Sequence, residues 1–165
     1  NIVVSNITMN HVHHYPIYIT TGCRNRGPKE RTDVSYGGDI TISNVIMHDV
    51  DSLAGIIVTG MPDYPLRNIS LNNIRIYYRG GGKAELAKRQ YREQGTNYPE
   101  PKFAKETPAY GLFARHVDGL DVNHVTFHTM KTDYRPAVML DDVKNASIID
   151  LKAPDVKGVK KIVGY

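Results

Sequence analysis

The segment DITISNVIMHDVDSLAGIIVTG, residues 39–60, repeats the pattern with which the chain opens, NIVVSNITMNHVHHYPIYITTG, residues 1–22. Each segment has an alternating Ile/Val stretch, a Ser-Asn step, a second apolar stretch about sixteen residues later and a closing Thr-Gly. Repetition at a period of about 20–50 residues is typical of proteins built from stacked structural units. This pair of segments therefore decides which folds need to be considered.

Weaker copies of the same unit follow along the rest of the chain. The first stretch of each unit begins at Ile2, Ile40, Ile69, Leu120 and Ala146. The second stretch of each unit occupies residues 16–22, 54–60, 110–117, 135–143 and 160–165. Two segments, at about 23–38 and 79–108, interrupt the repeats and are interpreted as loop insertions.

The units predict an all-β domain over residues 1–165, folded as a parallel β-helix, a single-stranded solenoid of about five coils. Alternation within each strand requires one buried and one exposed face. No Asn-Gly or Asp-Gly hairpin joins the two strands of a unit, which argues against an antiparallel meander. Stacked coils place like residues in columns. We expect Ile2, Ile40, Ile69 and Leu120 to form an inward column and Asn6, Asn44 and Asn73 to form a turn ladder.

The positive charge lies mainly on the two insertions. The formal net charge is +4, while residues 23–38 and 79–107 together sum to +5. Basic loops on a nearly neutral solenoid favour a local anionic partner. The apolar spacing within Lys83–Glu93 also predicts one short amphipathic helix on the second insertion.

Several classes of protein are excluded by the sequence. No apolar run approaches the ~18 residues of a membrane span, and no nucleic-acid-binding motif is present. The single cysteine, Cys23, excludes an internal disulfide framework. The first residues already show the complete strand pattern, and no polar capping segment stands before them. We therefore expect more coils upstream in the natural protein.

Five phrases resemble glycoside hydrolase family 28, the polygalacturonase-like pectin hydrolases. They are HYPIYITTG (14–22), LAGIIVTGMPDYPLRNISLNNIRI (53–76), NYPEP (97–101), PAYGLFARHVDGLDVNHVTF (108–127) and RPAVMLDDV (135–143). The likeness covers nearly the whole chain and corresponds to the C-terminal coils of such an enzyme. It implies a right-handed parallel β-helix, a secreted or periplasmic location and a pectic polysaccharide or oligosaccharide as partner. It implies no cofactor and no membrane or nucleic-acid partner.

The resemblance also implies inverting hydrolysis, in which two carboxyl groups stand far enough apart to admit a water. The family carries its aspartates in Asn-Thr-Asp and Gly-Asp-Asp motifs, with a Gly-His-Gly nearby. None of these occurs in residues 1–165, so we expect no catalytic residue in this chain and the catalytic aspartates upstream of it. The family binds the substrate carboxylate with an Arg-Ile-Lys motif. This motif aligns with Tyr18-Ile19-Thr20, which supplies no cation.

Outward residues of the second strands are the candidate substrate-binding set. One column is expected to contain Tyr18, Ile57, Phe113 and Met139, and the next Thr20, Thr59, Arg115 and Asp141. An exposed aromatic stripe beside polar groups suits a sugar. The alternative is that the insertions cover this stripe and make it a second core.

Charged residues near those strands have two interpretations. Arg24 and Arg26 follow the first exposed strand and are candidates for gripping a carboxylate bidentately. Arg115 and His116 are candidates for substrate contact, although Arg115 has an alternative structural partner in Asp141. Asp141-Asp142 ends its strand, which favours turn capping over catalysis.

The triplet His11, His13 and His14 lacks Cys or acidic partners at ligand spacing, so we expect turn or surface histidines and no metal site. The sequence thus predicts the C-terminal segment of a pectin-directed glycoside hydrolase. The alternative is a non-catalytic carbohydrate-binding or structural β-helix, such as an adhesin or a tailspike-like stalk.

Overall fold

A computed structural model of the chain describes residues 1–23, 36–53, 55–93, 95 and 106–164. These residues form an all-β protein with one short 3-10 helix, Ala84–Lys88. The strands are β1 (Ile2–Asn10), β2 (Tyr18–Thr20), β3 (Gly38–Val50), β4 (Ile56–Thr59), β5 (Leu66–Gly80), β6 (Leu112–Lys131), β7 (Val138–Lys152) and β8 (Ile162–Gly164).

The strands pair in parallel and in the register that the repeats predict. All seven pairings between these strands are parallel. The inward column is a continuous row of register partners that runs through Ile2, Ile40, Ile69, Leu120 and Ala146. Parallel in-register stacking is therefore confirmed, and an antiparallel meander is excluded for the described strands.

The strands form one curled sheet because β6 and β7 are long enough to join two rows. β6 pairs with β4 through residues 112–115 and with β5 through residues 117–131. The main core lies inside the curl, where Val45, Leu71 and Val122 are at most 1% exposed. Burial of such aliphatic columns contributes about 25 cal/mol per Å² of apolar surface.

Left-handed residues turn the chain at the corners of the curl. Every non-glycine residue with positive φ among those described is Asn, Asp or His, the residue types that tolerate this region best. Asn6, Asn44 and Asn73 form one such corner, with φ of 59°, 55° and 49°. The Asn44 amide donates to Asn6 Oδ1 at 3.1 Å, and the Asn73 amide donates to Asn44 Oδ1 at 2.8 Å. The predicted asparagine ladder is confirmed.

The second insertion contains less helix than its apolar spacing predicts. Only Ala84–Lys88 is helical, as a 3-10 turn, within the predicted range Lys83–Glu93. Lys83 makes no side-chain capping hydrogen bond, and Arg89 has already returned to extended backbone. A helix this short is marginal in water, and Tyr91 gains more by packing onto the strands.

A buried ion pair ties both ends of the second insertion to the sheet. The Arg135 guanidinium, 0% exposed, donates from Nε and Nη2 to Asp133 at 2.9 and 2.8 Å. Asp133 in turn accepts from Gly82 N at 2.9 Å, where the insertion begins. Arg135 Nη1 donates to the carbonyls of Thr107 and Leu53, each at 3.2 Å. Arg135 and Asp133 thus connect residues 82 and 107, near the two ends of the insertion.

Candidate functional site

The second strands of the repeats stack their side chains into two columns. Register partners in the first column are Tyr18, Ile57, Phe113 and Met139. Register partners in the second column are Thr20, Thr59, Arg115 and Asp141. Both columns match the sequence prediction.

The first column is covered rather than open. Ile57 is 0% exposed, Phe113 is 1% exposed and Met139 is 6% exposed. Tyr91 of the second insertion packs against Ile57 and Phe113, with ring centroids of Tyr91 and Phe113 4.9 Å apart. The prediction of an exposed Phe113 is wrong, and the alternative of a second core is correct. The insertion supplies apolar cover that the strand pattern does not reveal, and burial of a ring is strongly favourable.

Three tyrosines close one end of this second core. The rings of Tyr15 and Tyr18 stack with centroids 5.6 Å apart, and Tyr18 is hydrogen-bonded to Tyr91. Burial, assisted by the neighbouring Tyr18, raises the pKa of Tyr15 to about 12. Burial also raises the pKa of Tyr18 and of Tyr91 above the usual 10.0. The packing therefore favours neutral phenols.

This cluster predicts loss of stability at alkaline pH. The folded-state pKa of Tyr15 lies above its usual 10.0. The contribution of this residue to folding stability is therefore fully present below pH 10 and is lost as the pH rises towards about 12. We expect a Tyr15→Phe variant to lose one tyrosinate ionisation in this range, measured by ultraviolet absorbance. The variant should also show a flatter decline of urea midpoint with pH. If the ionisation missing from the variant falls near pH 10 and not near pH 12, the packing of Tyr15 is contradicted.

Arg115 lies beside the covered column with its guanidinium engaged by the protein. Nη1 donates to the Tyr91 carbonyl at 2.6 Å, and Nη2 lies 2.5 Å from Glu93 Oε1. Nε lies 3.0 Å from Asp141 Oδ2 as an ion pair, without the alignment of a hydrogen bond. The alternative of a structural pair with Asp141 is therefore correct. The predicted substrate contact of Arg115 stays a prediction, and the guanidinium that would make it already has a carboxylate and a carbonyl of the insertion as partners.

His116 is likewise buried between carboxylates. It is 8% exposed, and its Nδ1 and Nε2 lie 2.7 Å from Asp142 Oδ2 and 3.1 Å from Glu93 Oε1. The predicted substrate contact of His116 stays a prediction, and both ring nitrogens already have partners within the protein. Asp141 and Asp142 lie inside β7 and do not end a strand as predicted, although Asp142, at φ 50°, occupies a left-handed corner of the chain. The hydrogen bond of Asp142 with His116 holds the pKa of that carboxyl below its usual 3.8. His116, Arg115 and Glu93 thus fasten the insertion to β6.

A groove of about 810 Å³ lies between the second insertion and the starts of β6 and β7. We call it the insertion groove. Tyr91, Phe113 and Met139 contribute its apolar lining. Its charged lining consists of Lys88, Arg89, Arg92, Glu93, Arg115 and Asp141. Among the described lining residues, cations outnumber carboxylates, so this part of the insertion groove favours an anionic ligand.

The remaining predicted site residues lie elsewhere. Tyr18 and Thr20 are half-buried, and Thr20 Oγ1 accepts a hydrogen bond from Thr59 at 3.0 Å. Neither residue lines the insertion groove. Arg24 and Arg26 lie outside the described residues. Their proposed roles stay predictions.

Sequence reasoning missed Tyr91 and Arg92 as lining residues of the insertion groove. The apolar spacing assigned Tyr91 to a helix face, and nothing in the strand repeat connects it with Phe113. The alternation of basic and aromatic residues in KRQYRE, residues 88–93, was the available signal.

The histidines of the first turn are exposed, and His11 Nδ1 lies 2.6 Å from Asp49 Oδ2. No group of three metal-ligating side chains occurs within the described part of the chain. Among those same residues, no helix has the length and apolar character needed to cross a bilayer. Comparison of the chain with protein-family models, curated proteins and solved structures finds no match.

Proposed function

We propose that this chain is the C-terminal segment of a right-handed parallel β-helix enzyme, polygalacturonase-like, that hydrolyses pectic polysaccharide with inversion. The in-register parallel stacking of β1, β3, β5, β6 and β7 supports the architecture. The sequence phrases given above support the family. A secreted or periplasmic location is part of the same proposal.

The observation that carries the substrate assignment is the insertion groove. Its accessible apolar surface is the half-buried Tyr91 ring, which lies beside the exposed cations Lys88 and Arg92. A pectic sugar has an apolar ring face and a carboxylate, which such a surface can hold together. A neutral polysaccharide would contact the ring and leave the cations unpaired.

The chain's own carboxylates argue against hydrolysis by this segment alone. Glu93 and Asp141 line the insertion groove, but both are bound by the Arg115 guanidinium. Inverting hydrolysis requires one protonated carboxyl and one carboxylate with room for water between them. The Arg115 guanidinium lies between the two carboxylates, 2.5 Å from Glu93 Oε1 and 3.0 Å from Asp141 Oδ2, and occupies that room. We therefore propose that the catalytic aspartates lie in coils preceding residue 1.

The proposal predicts binding without turnover. We expect the purified chain to bind a de-esterified galacturonic acid oligomer, measured by calorimetry, with affinity that falls as salt is raised. A neutral glucan oligomer of equal length, the matched control, should bind at least about tenfold more weakly. A reducing-sugar assay should detect no product. Release of reducing ends, or equal binding of both oligomers, would contradict the proposal.

The alternative of a non-catalytic carbohydrate-binding or structural β-helix is favoured by one observation, the engagement of both lining carboxylates by Arg115. The coding sequence upstream of residue 1 discriminates between the two. Aspartates on equivalent strands one to three coils earlier support the hydrolase, and their absence supports the binding or structural protein.

A further inference from the structure

Two cations of the insertion groove have no carboxylate of their own. Arg89 is paired with Glu106, and Arg115 is engaged as described above. Lys88 and Arg92 line the insertion groove and make no ion pair with any residue in the described ranges. The spare positive charge of the groove is therefore carried by the insertion and not by the strands.

Arg92 lies between two residues that are firmly attached to the sheet. The Tyr91 carbonyl before it accepts from Arg115 at 2.6 Å. The Glu93 carboxylate after it contacts both Arg115 and His116, at 2.5 and 3.1 Å. The backbone on both sides of Arg92 is thus held in place while its side chain stays exposed. The backbone at Arg92 therefore has little conformational entropy to lose on binding a ligand, and the remaining cost is that of ordering the side chain.

Tyr91 is held with similar firmness and is only half-buried. Its ring packs against Phe113 and Ile57, and Tyr18 is hydrogen-bonded to it. Phe113 below it is 1% exposed and therefore serves as support. Of the aromatic side chains around the second core, Tyr91 is the half-buried one that lines the insertion groove together with unpaired cations.

We infer that residues 88–93 of the second insertion form a ligand-binding element, in which Tyr91 receives the apolar face of a sugar ring and Arg92, with Lys88, pairs with that sugar's carboxylate. This inference rests on the proposed function and assigns it to residues outside the repeated strands. An exposed arginine forms a bidentate pair with a carboxylate and cannot do so with its methyl ester. The Tyr91 contact is independent of the ligand's charge.

The test uses calorimetry with a galacturonic acid oligomer and its fully methyl-esterified counterpart. Arg92→Gln should weaken binding of the acid about fivefold and leave the ester unchanged. Tyr91→Ala should weaken both about tenfold, whereas Tyr91→Phe should bind both nearly as the parent protein does. Arg75→Gln, which removes an exposed arginine on a different face, is the matched control.

The outcomes separate this inference from the proposed function. If the parent chain binds the acid and both Arg92→Gln and Tyr91→Ala bind it equally well, the inference is overturned and the proposed function stands. If the parent chain binds neither oligomer, the proposed function fails and the inference fails with it. If Tyr91→Ala does not fold, Tyr91→Leu and Arg92→Gln are compared instead. If both of these variants bind the acid oligomer as tightly as the parent chain does, the inference is overturned.

Discussion

Replacement of Arg135 by alanine is expected to lower the free energy of unfolding by about 3–5 kcal/mol, because it leaves the buried Asp133 carboxylate without its cation. All five N–H groups of this guanidinium have acceptors within the protein. Nε and Nη2 meet Asp133, Nη2 also donates to Ser52 O at 2.6 Å, and Nη1 donates to two further carbonyls. A loss of this size is a large fraction of the 5–15 kcal/mol typical of a domain. Urea unfolding followed by circular dichroism measures it.

Two further variants identify the cause of that loss. Arg135→Lys keeps the charge but not the planar fork, so it should recover only part of the stability. Arg67→Ala, which removes an exposed arginine of β5, should change it by less than about 0.5 kcal/mol. If Arg135→Ala is as mild as Arg67→Ala, the buried pair does not hold the base of the insertion.

The second large effect is expected at Phe113, where alanine should destabilise the protein by about 3–5 kcal/mol. The ring is 1% exposed and packs with Ala109, Met139 and Tyr91. Removing it leaves a cavity beneath Tyr91, which should let water reach the Tyr91 phenol. Because burial raises the pKa of Tyr91, the variant should ionise this tyrosine at lower pH. Unfolding measurements and an alkaline absorbance titration test the two consequences.

Phe113→Leu is the matched control, since it keeps most of the apolar volume and should cost about 1–2 kcal/mol. The two interpretations of Phe113 predict opposite results. An exposed sugar platform would lose ligand affinity and little stability on truncation, whereas a second core loses stability first. If Phe113→Ala unfolds at the same midpoint as the parent protein, the interpretation of Phe113 as an exposed sugar platform is supported and the second core is contradicted.

The repeat is the part of this fold that sequence reasoning predicts well. Like residues recur in Ile2, Ile40 and Ile69 because consecutive strands lie in register, and the structure pairs these residues as expected. Asn6 and Asn44 are recognisable for the same reason, since a left-handed corner and a side-chain ladder both favour asparagine. Such patterns depend on neighbours at a constant spacing and need no knowledge of distant contacts.

The candidate site was predicted less well because it depends on the insertion. Strand alternation places Phe113 and Arg115 outward, and it does so correctly. It contains no information on whether residues 91–93 return to cover them. Nor does it reveal that Glu93 lies against both Arg115 and His116, whose predicted ligand contacts stay predictions.

The sequence by itself determined the parallel strand order, the register and the corner residues, because repeated local patterns specify which residues stack on which. Only the tertiary structure decided that the outward column is a second core and that Tyr91 and Arg92 line the groove above it. The insertion occurs once, so no repeat records its partners. Its position follows from non-local contacts, chiefly those of Arg135 and Arg115, whose energy depends on burial that a linear pattern does not contain.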